Sequence, residues 1–131
     1  MKRYVKASRT DILITSPMFD LVVDRGVGMN NTPWTGLKVI SKGAAEKHVI
    51  EVRLESRWVP ADDFDGAPIQ FVYNPSGTEV AHGSRMRKDT LDDTREYIQA
   101  LQEALDFAEN VNSYIVQHPE WLAKPSSRRV D

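Results

Sequence analysis

The side chains able to do chemistry are plentiful in this chain but poorly grouped. His48, His82 and His118 lie far apart, and none has the second ligand at i+3 or i+4 that metal-binding helices use. A structural or surface role is expected for each. Asp62-Asp63-Phe64-Asp65-Gly66 resembles part of a calcium loop because spaced acids end in glycine. Aligning Gly66 with the loop glycine puts Ala61 at the first ligand position and Val72 at the last, where a bidentate glutamate is required. The match therefore fails. Gly26-Val27-Gly28 lacks the third glycine and helix start of a dinucleotide site, and Lys42-Gly43 lacks a preceding phosphate loop. There is no G-x-S-x-G elbow. Asp62-Asp63 and Asp92-Asp93 are paired in sequence, but neighbours on a strand or helix point in different directions, whereas acid/base pairs must converge across a cleft. With no cysteine, thiol nucleophiles, thiolate metal sites and disulfides are excluded. The expectation is a non-enzymatic protein without cofactor or metal.

The elements that would position any site are clearer. Asp11 to Thr15 and Asp20 to Asp24 read as two strands joined at Ser16-Pro17-Met18. Arg25 to Gly36 holds three glycines and a proline and reads as a long loop, before Leu37 to Ser41 resumes strand character and Lys42 to Lys47 turns the chain. His48 to Trp58 reads as the best strand. Ile50, Val52, Leu54 and Trp58 share one face, Glu51, Arg53, Glu55 and Arg57 share the other, and Ser56 breaks the pattern. One dry and one wet face point to an antiparallel sheet. Val59 to Pro68 reads as a second long loop, and Asn74-Pro75-Ser76-Gly77 as the turn of a hairpin between Ile69–Tyr73 and Thr78–Ala81.

Thr90 to His118 contains neither glycine nor proline and reads as one amphipathic helix. Thr90 followed by Asp93 resembles a capping box, and Pro119 stops the helix. Thr94, Tyr97, Ile98, Leu101, Ala104, Leu105, Ala108, Val111 and Ile115 span roughly 140° of one face. Phe107 and Tyr114 stand at its edge, where they either close over the sheet margin or join a partner-binding surface. Glu120-Trp121-Leu122 reads as a small anchor folding back on the domain.

The expected fold is a single α+β domain over residues 1–123: an antiparallel sheet of five or six strands with one long C-terminal helix across one face, and a flexible tail at 124–131. The expected core is Ile12, Ile14, Leu21, Val23, Leu37, Val39, Ile50, Val52, Leu54, Ile69, Phe71, Ile98, Leu101, Leu105, Ala108 and Ile115. A 131-residue chain with 40% apolar and 27% charged residues is long enough for one core without staples. No apolar run approaches the ~18 residues of a membrane span, and Met1 to Lys6 lacks the apolar stretch of a signal peptide, so a cytoplasmic protein with no membrane partner is expected.

Charge is distributed unevenly. Residues 1–88 hold thirteen basic and ten acidic side chains, whereas residues 89–118 hold Arg95 against seven acids. The helix exterior, with Asp92, Glu96, Glu103, Asp106 and Phe107 as candidate contacts, would suit a protein partner, in particular a basic surface that otherwise engages nucleic acid. The alternative is nucleic-acid binding through Lys2, Arg3 and Lys6, with Arg9, joined to Arg85, Arg87 and Lys88, while Tyr4 or Trp34 stacks on bases. A pI of about 5.9 weighs against it. No feature fixes an oligomeric state.

The opening Met1-Lys2-Arg3-Tyr4-Val5-Lys6-Ala7-Ser8 resembles the start of small proteins encoded by phages and mobile elements of Gram-positive bacteria. The resemblance covers about eight residues and brings no site residue with it. It implies an inhibitor of host defence, anti-CRISPR proteins among them, several of which present acidic surfaces to a nucleic-acid channel.

Overall fold

The computed structural model describes residues 11–28, 31–60, 69–83 and 89–122. Strands β1 (Asp11–Thr15), β2 (Phe19–Val27) and β3 (Pro33–Ser41) form an antiparallel meander. Helix α1 (Gly43–Lys47) is followed by β4 (Ile50–Arg53), β5 (Ser56–Pro60), β6 (Ile69–Tyr73), β7 (Glu79–His82) and the long helix α2 (Leu91–Gln117). A five-stranded sheet runs in the order β1-β2-β3-β6-β5, and β4 pairs with β7 in a second, two-stranded sheet. The class is α+β. The larger sheet is mixed, because β6 runs parallel to β3 at Trp34 and Thr35.

The glycines between Arg25 and Gly36 made that stretch read as a loop, yet β2 and β3 pair without a break from Phe19 opposite Ser41 to Val27 opposite Pro33. Glycine here makes room for aromatic rings. A Cβ on Gly26 would lie 2.5 Å from the Trp34 indole, and one on Gly36 would crowd Phe71 and the Tyr73 hydroxyl. Trp34 in turn meets Phe71 edge to face at 5.5 Å.

The alternating run from His48 to Trp58 is two strands in two sheets. The break falls at Leu54-Glu55, next to the Ser56 that disturbed the pattern. Trp58 accordingly lies opposite Phe71 on the larger sheet and is 59% exposed rather than in the core. The hairpin expected around Asn74–Gly77 is absent for a related reason. Pro75–Gly77 forms a 3-10 turn, capped by the Asn74 side chain accepting from the Ser76 N–H at 3.0 Å, and delivers the chain from β6 into the other sheet. Lys42–Lys47, expected as a plain turn, contains α1.

Helix α2 begins as its sequence dictates. Thr90 Oγ1 accepts from the Asp93 N–H at 3.1 Å while the Asp93 carboxylate accepts from the Thr90 N–H at 3.3 Å, the reciprocal pair of a capping box. Its end is followed by a 3-10 turn at Pro119–Trp121 that carries Trp121 back against Tyr73, ring centres 6.3 Å apart, as the expected anchor. The buried residues of α2 are Ala100, Ala104, Phe107, Ala108, Val111 and Ile115. At 100° per residue, that face is turned by roughly 60° from the stripe drawn from the sequence. Ile98 and Leu105, expected in the core, are 51% and 55% exposed; Ile12 of β1 is exposed too. In their place Phe19, Ala45, His48, Phe107 and Trp121 are buried with Leu21, Val23, Leu37, Ile50 and Val52. Among the described residues no helix is long and apolar enough to cross a membrane.

Candidate partner-binding surface

The acidic face of α2 divides into two parts. Toward the start of the helix, α1 supplies compensating charge. Lys47 Nζ lies 2.9 Å from Glu96 Oε1 and 3.5 Å from Asp93 Oδ1, and His48 Nε2 lies 2.8 Å from the same Glu96 oxygen. Hydrogen bonds from Lys47 and then His48 hold the Glu96 carboxyl below its usual range. Asp93 is lowered by the Thr90 N–H and hydroxyl, with Lys47 adding to the effect. Because an ionised carboxylate only accepts, the hydrogen on His48 Nε2 is donated to Glu96. Asp92 pairs with Arg95 at 2.8 Å across one turn of exposed helix.

Further along, Glu103, Asp106 and Glu109 have no ion pair among the described residues. They share the outer side of α2 with an apolar row. Leu91, Ile98, Leu105 and Val116 are all exposed, and the helical period puts them within about 40° of one another. Glu109 falls in line with the row, Asp106 lies beside it and Glu103 lies further round.

Of the candidate contacts, Asp92 and Asp106 lie on the surface, Glu103 is half-buried, and Glu96 is bound to α1. Phe107 does not belong with them. It is 2% exposed and stacks on Phe19 with ring centres 5.5 Å apart, so it joins α2 to β2 in the core. Tyr114 is half-buried and stacks on His118 at 3.9 Å.

Two of the three histidines, distant in sequence, meet at the start of α2. Tyr97 packs against His48 at 5.5 Å and His82 at 6.0 Å, and its hydroxyl shares a 2.9 Å hydrogen bond with His82 Nδ1. Full burial keeps His48 out of reach of a substrate, so its bond to Glu96 works as a clamp between α1 and α2. No local spacing announced this cluster; only pairing of β4 with β7 brings residues 48 and 82 together. Among the described residues no group of three or more His, Asp or Glu could hold a metal ion.

The basic residues of the nucleic-acid alternative, Lys2, Arg3, Lys6, Arg9, Arg85, Arg87 and Lys88, lie outside the described residues, as do Tyr4, the Asp62–Gly66 segment and the 124–131 tail. No family model, curated protein or solved structure matches the chain.

Proposed function

We propose that this protein is a non-enzymatic binding protein that engages a basic protein partner through the outer face of α2. The observation that carries the reading is the exposed row of Leu91, Ile98, Leu105 and Val116 lying alongside Glu109 and Asp106, with Glu103 further round the helix, acids that no cation of the described fold matches. An apolar strip in water next to unmatched charge suits a partner that covers the first and neutralises the second. Acids at this spacing imitate phosphates, so a nucleic-acid-binding surface is the partner chemistry that fits. A host-defence nuclease is a class with such a surface, in keeping with the phage-like opening residues.

The test is affinity purification with the tagged chain, with nuclease treatment before elution and labelled oligonucleotides run in parallel. Recovery of a basic protein that withstands nuclease and is lost with Ile98→Asp supports the reading. Salt-sensitive retention of oligonucleotides without such a protein would move the function to the nucleic-acid alternative.

A further inference from the structure

Leu91, Ile98 and Leu105 follow one another on α2 at steps of seven residues, about 10.5 Å along the helix axis. Leu101, half-buried at the margin of the core, stands between the last two. Ile98, Leu101 and Leu105 thus repeat the alternation of three and four residues by which one helix packs lengthwise on another. Seven residues fall about 20° short of two full turns, so the row drifts slowly across the face of α2 in the sense that a left-handed supercoil follows. An extended strand does not match it. Strand residues advance about 3.3 Å and alternate in direction, so a residue three places on, about 10 Å away, points the opposite way.

The charges around the row select the sign of the occupant. Glu109 lies in line with it and Asp106 beside it, both exposed and without an ion pair among the described residues. The last turn of α2 has no basic residue to offset the partial negative charge of its free carbonyls. Nearer the start, Asp92 and Arg95 satisfy each other. A second copy of α2 carries the same acids with Arg95 as its only cation, so two copies would gather like charge. On the reading of α2 as the partner-binding surface, we propose that the partner presents an amphipathic α-helix, with apolar residues three and four apart and Lys or Arg clustered at one end. It lies along α2 from Leu91 to Val116, about 38 Å, with its basic end over Asp106 and Glu109.

The probes are two displayed libraries of peptides about 25 residues long, enough to span that length as a helix, selected on the full chain. Both hold the same share of apolar and basic residues. In the first the apolar residues recur three and four apart; in the second they recur at every second place. The first should yield binders that gain helical circular dichroism on the chain and lose about tenfold or more in affinity when proline replaces a central residue. The same peptides should bind Leu105→Asp, and separately Glu109→Lys, about tenfold or more weakly. Both side chains are exposed, so both variants should keep a urea midpoint close to that of wild type. The second library should yield no binder that depends on Leu105.

Binders from the second library that are lost with Leu105→Asp, selected helices that bind both variants as tightly as wild type, or a first library without binders would each overturn the proposal. The broader reading is tested apart from this. A basic protein recovered with the tagged chain and lost with Ile98→Asp, beside a first library without binders, leaves α2 as the binding surface and discards the helix as its occupant. Recovery of neither such a protein nor such a peptide would discard both.

Discussion

The two halves of α2 carry similar acids in different circumstances. In the first half Asp93 caps the helix and bonds Lys47, Glu96 holds Lys47 and His48, and Asp92 holds Arg95. In the second half Glu103, Asp106 and Glu109 meet no cation among the described residues, while the side facing inward is closed by Phe107, Val111 and Ile115. Acids of the first half are thus engaged inside the fold, Asp93 and Glu96 in joining α2 to α1 and Asp92 within α2, and those of the second remain available. A count of charges along a helix merges the two, although only the second set can neutralise a partner without first giving up a bond inside the fold.

Adjacent positions in the second half should separate most sharply. Phe107→Ala removes a buried ring stacked on Phe19 and should cost about 3–5 kcal/mol in urea unfolding, whereas Asp106→Ala beside it should change stability by about 0.5 kcal/mol or less. In the first half the clamp should rank next. His48→Ala empties a fully buried site and removes its bond to Glu96, for a loss of about 2–4 kcal/mol by the same measurement.

The two halves should also differ in acid. The folded pKa of Glu96 lies below its ordinary 4.5 and that of Asp93 below 3.8. A lowered carboxylate stabilises the fold above its unfolded pKa, and this contribution fades as pH falls through the lowered folded value. The stability gap between wild type and Glu96→Gln should therefore be full at neutral pH, begin to close below 4.5 and vanish once the folded Glu96 is protonated. A gap independent of pH would mean that Lys47 and His48 do not hold this carboxylate in solution. The smallest effect is expected on the outer row. Ile98→Gln with Leu105→Gln should shift stability by only about 0.5 kcal/mol, since both side chains are already half in water.

Much of the fold was legible because its signals are local. The Thr90 and Asp93 side chains announce the start of α2, and the branched runs of β1 and β2 fall where they were read. The orientation of the helix was not legible. Apolar residues from Ala100 and Phe107 round to Leu105 and Val116 cover more of the circumference than a core can bury, so periodicity leaves open which edge stays wet. In the fold α1, five residues that read as a turn, packs against α2, His48 beside it meets Glu96 and Tyr97, and Phe19 of β2 stacks on Phe107. The same limit hid the meeting of His48 with His82 around Tyr97, since it depends on β4 pairing with β7 in a separate sheet. Of the candidate surface, Asp106 is exposed, Glu96 is bound to α1, and Phe107 is core.

The most direct test is the affinity of the recovered partner for the chain carrying Glu103→Lys, Asp106→Lys and Glu109→Lys, measured beside its urea midpoint. The midpoint should stay close to that of wild type and binding should weaken about a hundredfold or more, as happens when several interfacial charges are reversed. A partner held as tightly by the triple variant would contradict the outer face of α2 as the binding surface.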